Sequence, residues 1–217
     1  DPVRALDTLT VSAKLAKSAH VDQSETVKGL TKIMAGYEGA VESATEAADL
    51  LYAIERYGQV QVSELIPIIG GLAKTSHTLG INQREMAGSI ALGSQTAGSA
   101  AEAGVQYQAI LTGLMKPTDA MKKAVKGMGF ETAEAAIKEL GFVGVLRKLQ
   151  ETTGGSSEKL AELFGRKEAM LGFTALGAAG FTLLEKNIDG VAAGAGAADE
   201  AFFKWSESSR ASITGLQ

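Results

Sequence analysis

Residues 63–98 read SELIPIIGGLAKTSHTLGINQREMAGSIALGSQTAG. Leu65, Ile68, Ile69 and Leu72 return at spacings of three and four residues, which places them on one side of a helix, and Ser63 with Glu64 supplies its opening turn. Pro67 falls near that turn, where a missing N–H is tolerated. Leu79-Gly80 is a stop, because glycine accepts the left-handed backbone that closes a helix. Asn82, with Glu85 three positions on, is a capping-box pattern for a second helix running through Met86, Ile90 and Leu92 to about Gly98. Helices of this length joined by so short a loop predict an antiparallel hairpin.

The same grammar extends both ways. Val3, Leu6, Leu9, Ala13 and Ala16 recur at helical spacing and mark a first helix, with its apolar face, ending near His20. Asp22 to Glu25 cap a second that carries Val27, Leu30, Ile33 and Met34. A third opens at Ser43 or Thr45, carries Leu50, Leu51, Ile54 and Tyr57, and stops at Gly58. Downstream, Ala100 to Met115 is helical until Lys116-Pro117-Thr118-Asp119 breaks it, and Met121 to Met128 forms the next short helix. Thr132 restarts the chain, Leu140-Gly141 interrupts it, and Val145, Leu146 and Leu149 share one face beyond. Thr152 to Ser157 is a cluster of turn formers, followed by a short helix from Glu158 to Phe164 that stops at Gly165. From Arg166 the spacing predicts one or two long helices, including the uncharged run 169–184 (AMLGFTALGAAGFTLL) and a Gly/Ala segment. No stretch alternates at period two. The chain therefore reads as all-α, a multi-helix bundle of short antiparallel helices with a longer Gly/Ala-rich C-terminal helix. Its expected organisation is a helical core over 1–153, a linker at 154–157 and a C-terminal helical segment over 158–217. Helices recur about every twenty residues without matching residues at a fixed period, which disfavours a solenoid.

The chain has 217 residues, 45% of them hydrophobic, and a formal net charge of -4. That length and apolar content suffice for a core and exclude a disordered chain. With no Cys, thiol catalysis, disulfide frameworks and zinc fingers drop away, and the charge balance does not suit a duplex-DNA binder. His20 and His77 stand far apart, in no zinc-binding spacing. Gly194-Ala195-Gly196 resembles the start of a dinucleotide loop but lacks the third glycine and a preceding strand, and no P-loop is present. Carboxylates for a hydrolase exist, for example Asp49 with Glu55 or Glu64, but no pattern selects a pair. Lys122, Lys123 and Lys126 read as a solvated face. The run 169–184 falls short of the ~20 residues of a spanning helix and reads as a core helix. The alternative is that it inserts into a membrane through Leu171, Phe173, Leu176, Phe181, Leu183 and Leu184. Without an initiator Met or a leader pattern, the chain looks like an internal piece of a longer protein.

The segment from Ala47 to about Gly190 resembles the core region of phage tail tape measure proteins. The likeness is a sequence of segments: Val62-Ser63-Glu64-Leu65, Leu79-Gly80-Ile81 and Glu85-Met86-Ala87, then Ala103-Gly104 with Leu111, Leu114 and Pro117-Thr118. It closes on Leu163-Phe164-Gly165-Arg166 ahead of an alanine- and leucine-rich helix. What the resemblance implies is a structural virion protein, not an enzyme and without a cofactor, present in several copies in the tail lumen and in the host bacterial cytoplasm during assembly. It would act in tail assembly, length determination and DNA ejection. Its implied partners are other copies of itself, tail tube and distal tail proteins, tail assembly chaperones and, if the apolar run inserts, the host inner membrane. No sequence-specific nucleic-acid binding is implied. The alternatives are a membrane conduit for DNA or a cell-wall hydrolase domain. As one continuous helix 217 residues would reach roughly 330 Å, but stops about every twenty residues predict a compact module with a radius of gyration near ~17 Å.

Overall fold

The computed structural model describes residues 2–177 and 181–214, with side chains to residue 210. Among the described residues there are twelve α-helices and no strand. They are α1 (Pro2–Ser18), α2 (Gln23–Gly36), α3 (Ala44–Gly58), α4 (Val62–Thr78), α5 (Gln83–Ala97) and α6 (Ala100–Met115). There follow α7 (Asp119–Gly127), α8 (Ala133–Thr153), α9 (Ser157–Phe164), α10 (Lys167–Gly177), α11 (Thr182–Ala192) and α12 (Ala197–Thr214). The chain is an all-α bundle of short helices.

Side-chain oxygens start most of these helices. Asp22, Ser43, Asn82, Ser99, Thr118, Thr132 and Ser156 each accept a backbone N–H from the first turn of the helix that follows. The α4–α5 stop closes as the sequence predicts. Gly80 is left-handed at φ 78°, Gly80 N–H donates to His77 O at 2.9 Å and Ile81 N–H to Ser76 O at 3.0 Å. Buried Ile81 then seals the loop from inside. The interruption at Gly141 is also real: φ 73° and ψ 164° kink α8 into two arms.

Three local readings change. Helix α4 starts one residue before Ser63, with Gln61 as N-cap, and there Glu55 Oε1 accepts the Val62 N–H at 3.1 Å and Glu64 Oε1 the Gln61 N–H at 3.4 Å. Pro67 consequently lies inside the helix, on its exposed side. On α1 the buried residues are Val11, Ser12 and Leu15, so the stripe through Leu6 and Leu9 points away from the bundle. In place of one helix over 169–184, α10 ends at Gly177 and α11 starts at Thr182, after Phe181 in a left-handed turn at φ 67°; residues 178–180 lie outside the described residues.

Packing is organised around α5 and α6, with α3 and α11 on α5, α4 and α10 on α6, and α2 on α4. Glycine sets the closest approaches. A Cβ on Gly88 would meet the Ile188 backbone N at 2.9 Å, and one on Gly172 the Gln106 carbonyl O at 3.1 Å, at the α5/α11 and α6/α10 crossings. One continuous buried cluster runs from Val11 to Val191 and includes residues on both sides of the Gly154-Gly155 turn. No helix of the described residues is long and apolar enough to cross a membrane.

Candidate functional site

Of the sequence landmarks, Leu79, Gly80 and Glu85 lie at the joint between α4, α5 and α8. Glu85, at the third position of α5, is half-buried and uses both carboxylate oxygens. Its Oε2 accepts from Asn82 Nδ2 at 2.8 Å and Asn82 N–H at 3.3 Å, while Oε1 accepts the Phe142 N–H at 2.9 Å, beside the Gly141 kink. One side chain thus caps two helices: its own, and the second arm of α8. Beneath it, Ser76 and Tyr107 hydroxyls pair at 3.0 Å, Tyr107 meets Phe142 edge to face at 6.0 Å, and Tyr37 meets His77 at 5.6 Å. Tyr37 Oη is buried with no hydrogen-bond partner. Burial pushes both phenols above their ordinary range, with the Glu85 charge adding to the effect, so each stays protonated as structural filling.

The remaining landmarks hold helices together. Leu65 and Leu79 are buried, and Ala103 fills the space over Gly93 between α5 and α6. A Cβ on Gly104 would meet Ile68 Cδ1 at 2.8 Å, so this glycine sets the α4/α6 approach. Ser63 Oγ donates to Gln61 Oε1 at 3.3 Å, an exposed contact. Pro117 leads into Thr118, whose hydroxyl accepts the Met121 N–H at 3.1 Å and lies 2.9 Å from Leu163 O and 3.0 Å from Glu162 O, tying the start of α7 to the end of α9. There Phe164 meets Phe173 with the rings tilted by 48° and their centroids 5.2 Å apart, Gly165 turns left-handed at φ 65°, and Arg166 is exposed. Of the residues considered for membrane contact, Phe173, Leu176, Phe181 and Leu184 are core, and only Leu171 and Leu183 are exposed. Insertion would require the four to leave the core.

The acids that might have formed a hydrolytic pair are each occupied by backbone. Asp49 Oδ2 and Oδ1 accept the Gly196 and Ala198 N–H groups, both at 2.8 Å, so the loop resembling a dinucleotide turn is closed by the chain's own carboxylate. Glu55 holds Val62 and Glu64 holds Gln61. Among the described residues no three potential metal ligands converge. The open features are clefts: about 710 Å³ between α7, α8 and α9, about 500 Å³ beside Pro117, and about 450 Å³ between α4, α6 and Arg166.

The family model for phage-related minor tail proteins matches residues 2–165. This chain belongs to that family. The match ends at the Phe164-Gly165 stop. Neither a curated protein nor a solved structure shows significant similarity. As a minor tail protein the chain is a component of the phage tail and associates with other tail components. Sequence reasoning had marked Glu85 but not what it holds; the Gly141 stop was the available signal for the Phe142 contact, whereas nothing local pointed to Tyr37 or Tyr107.

Proposed function

We propose that this minor tail protein is a folded segment of a tail tape measure protein, acting in tail assembly and length determination and in DNA ejection, with no enzymatic role and no cofactor. The observation that supports this most is the ordered series of helix joints from Ser63 to Gly165 inside the family match. Its setting on this reading is the tail lumen, with several copies side by side, the tail tube and distal tail proteins as neighbours, and assembly chaperones as partners in the host cytoplasm. The short, capped helices make it a docking or ejection module. A ruler needs an extended chain.

The test is in-frame deletion of the segment from its parent, with tail length read by electron microscopy. The module reading expects tails of nearly normal length that assemble poorly or fail to deliver DNA. Tails shortened by roughly 330 Å would show the segment counted as stretched helix and overturn the module reading. Normal assembly and infection would overturn the functional assignment altogether.

A further inference from the structure

Helix α12 is started from outside its own stretch of sequence. The side chains that cap α2, α3 and α5 to α9 each belong to the residue just before the helix. Residues 192–198, where α11 ends and α12 begins, read Ala-Ala-Gly-Ala-Gly-Ala-Ala and have no side-chain oxygen to offer. The cap is instead Asp49 on α3, whose carboxylate accepts the Gly196 and Ala198 N–H groups, both at 2.8 Å, from 147 and 149 positions away. Lys14 on α1 adds an ion pair to Asp199 at 2.7 Å and stands over the Phe202 ring at 5.8 Å from its centroid. These contacts grip the first two turns of α12.

Within the junction only the two glycines work against a continuous helix. It holds no proline, no β-branched residue and no side chain that competes for the backbone, and alanine is the strongest helix former. Both glycines are used by the bend. Gly196 is left-handed at φ 86°, and a Cβ on Gly194 would meet Val191 O at 3.1 Å and Ala53 Cβ at 3.2 Å. The bend is therefore a product of docking: it exists because α3 and α1 hold α12.

We infer that Asp49 is a latch on the α11–α12 bend, and that release of α12 lets α11 run on through residues 193–196 as one helix from Thr182 to Thr214. Straightening leaves no backbone group unpaired, since the Gly196 and Ala198 N–H groups pass from Asp49 to the Ala192 and Gly194 carbonyls in the regular helical pattern. The extended arm reaches roughly 33 Å beyond Ala192. It carries away from α1 and α3 the half-buried side that includes Ala198, Ala201, Phe202 and Trp205. The folded module thus contains one element able to lengthen, a property that goes beyond the tail reading and is independent of it.

Two variants of the full chain test the latch from opposite directions. Asp49→Ala removes it. Gly194→Ala/Gly196→Ala keeps the carboxylate and removes the two residues the bend requires, favouring the continuous helix by about tenfold through helix propensity. Backbone Cα chemical shifts over 193–197 read the junction, Trp205 emission reads the docking of α12, and small-angle scattering reads the length. Expected in both variants are helical shifts through 193–197 and on to residue 210, a red-shifted Trp205 and a maximum dimension larger by roughly 30 Å. A junction like the parent's in either variant overturns the inference, and so does a released α12 whose shifts turn to coil. Neither glycine is fully buried, so the glycine variant decides the question even where Asp49→Ala fails to fold, a case identified by lost native shifts in α5 and α6. Normal tails and infection after the in-frame deletion would remove the tail reading and leave this result standing.

Discussion

Glu85 is placed so that its loss undoes two helix starts at once. Its carboxylate serves the Asn82 cap and the Phe142 N–H on the far side of the Gly141 kink. An exposed cap contributes about 1 kcal/mol and a hydrogen bond to a charged acceptor about 1.5–3 kcal/mol. Glu85→Ala is therefore expected to lower stability by about 2–3 kcal/mol, read as a fall in the urea midpoint; a fall no larger than that of an ordinary surface substitution would mean the two contacts are not coupled through this side chain. Glu55 behaves differently. Burial pushes its carboxyl above the ordinary range although it accepts the Val62 N–H, so the folded state holds the Glu55 proton more tightly than the unfolded chain. Its contribution is greatest below the unfolded-state value and is lost as pH rises through the folded one. Glu55→Gln keeps an acceptor without the buried charge, so its melting temperature should exceed the parent's near neutral pH and approach it as pH falls through the carboxylate range. An offset independent of pH would sink that account.

Among the elements, α11 and α12 contrast. Helix α11 lies directly against α5, where Gly88 leaves no room for a methyl beside the Ile188 backbone. Gly88→Ala should destabilise the fold by about 1–3 kcal/mol through forced separation of the two helices, against the small gain alanine brings to an exposed helix interior; calorimetry showing a stabilised variant would mean the crossing yields without strain. Helix α12 is held more lightly. No side chain among its described residues 197–210 is fully buried, and its start depends on Asp49 reaching across from α3, with Lys14 pairing Asp199 at 2.7 Å. Asp49→Ala should speed amide exchange over 196–210 and leave α5 and α6 protected, because local opening follows local contact density. Uniform acceleration along the chain would instead make α12 an integral part of the core.

At the scale of the molecule, one buried cluster from Val11 to Val191 predicts that α1 to α11 unfold together, and α12 separately. Trp205, on α12, is the one tryptophan in the chain, so its fluorescence should change at lower urea than far-ultraviolet circular dichroism. Coincident curves would show a single cooperative unit. How much of this architecture was legible beforehand follows from the range of the forces involved. Capping at Asn82, the Leu79-Gly80 stop, the break at Lys116-Pro117 and the kink at Gly141 depend on atoms within one or two turns, and the amino-acid order specifies them directly. The all-α class was readable for the same reason. The direction in which a helix faces is not a local property. The Leu6 and Leu9 stripe has the periodicity of a core face, yet Val11 and Leu15 took that place because α2 and α3 pack on the other side. Likewise the uncharged run 169–184 has the composition of one helix, and its division at Gly177 and Phe181 accompanies the seating of Phe173 and Phe181 against each other at 6.0 Å inside the core. Periodicity and capping thus established where most of the helices before residue 166 begin and end. Which faces are buried, which acid holds which distant backbone, and which apolar stripe is left exposed depended on packing between segments far apart in the chain, because burial is shared by all the surfaces that meet.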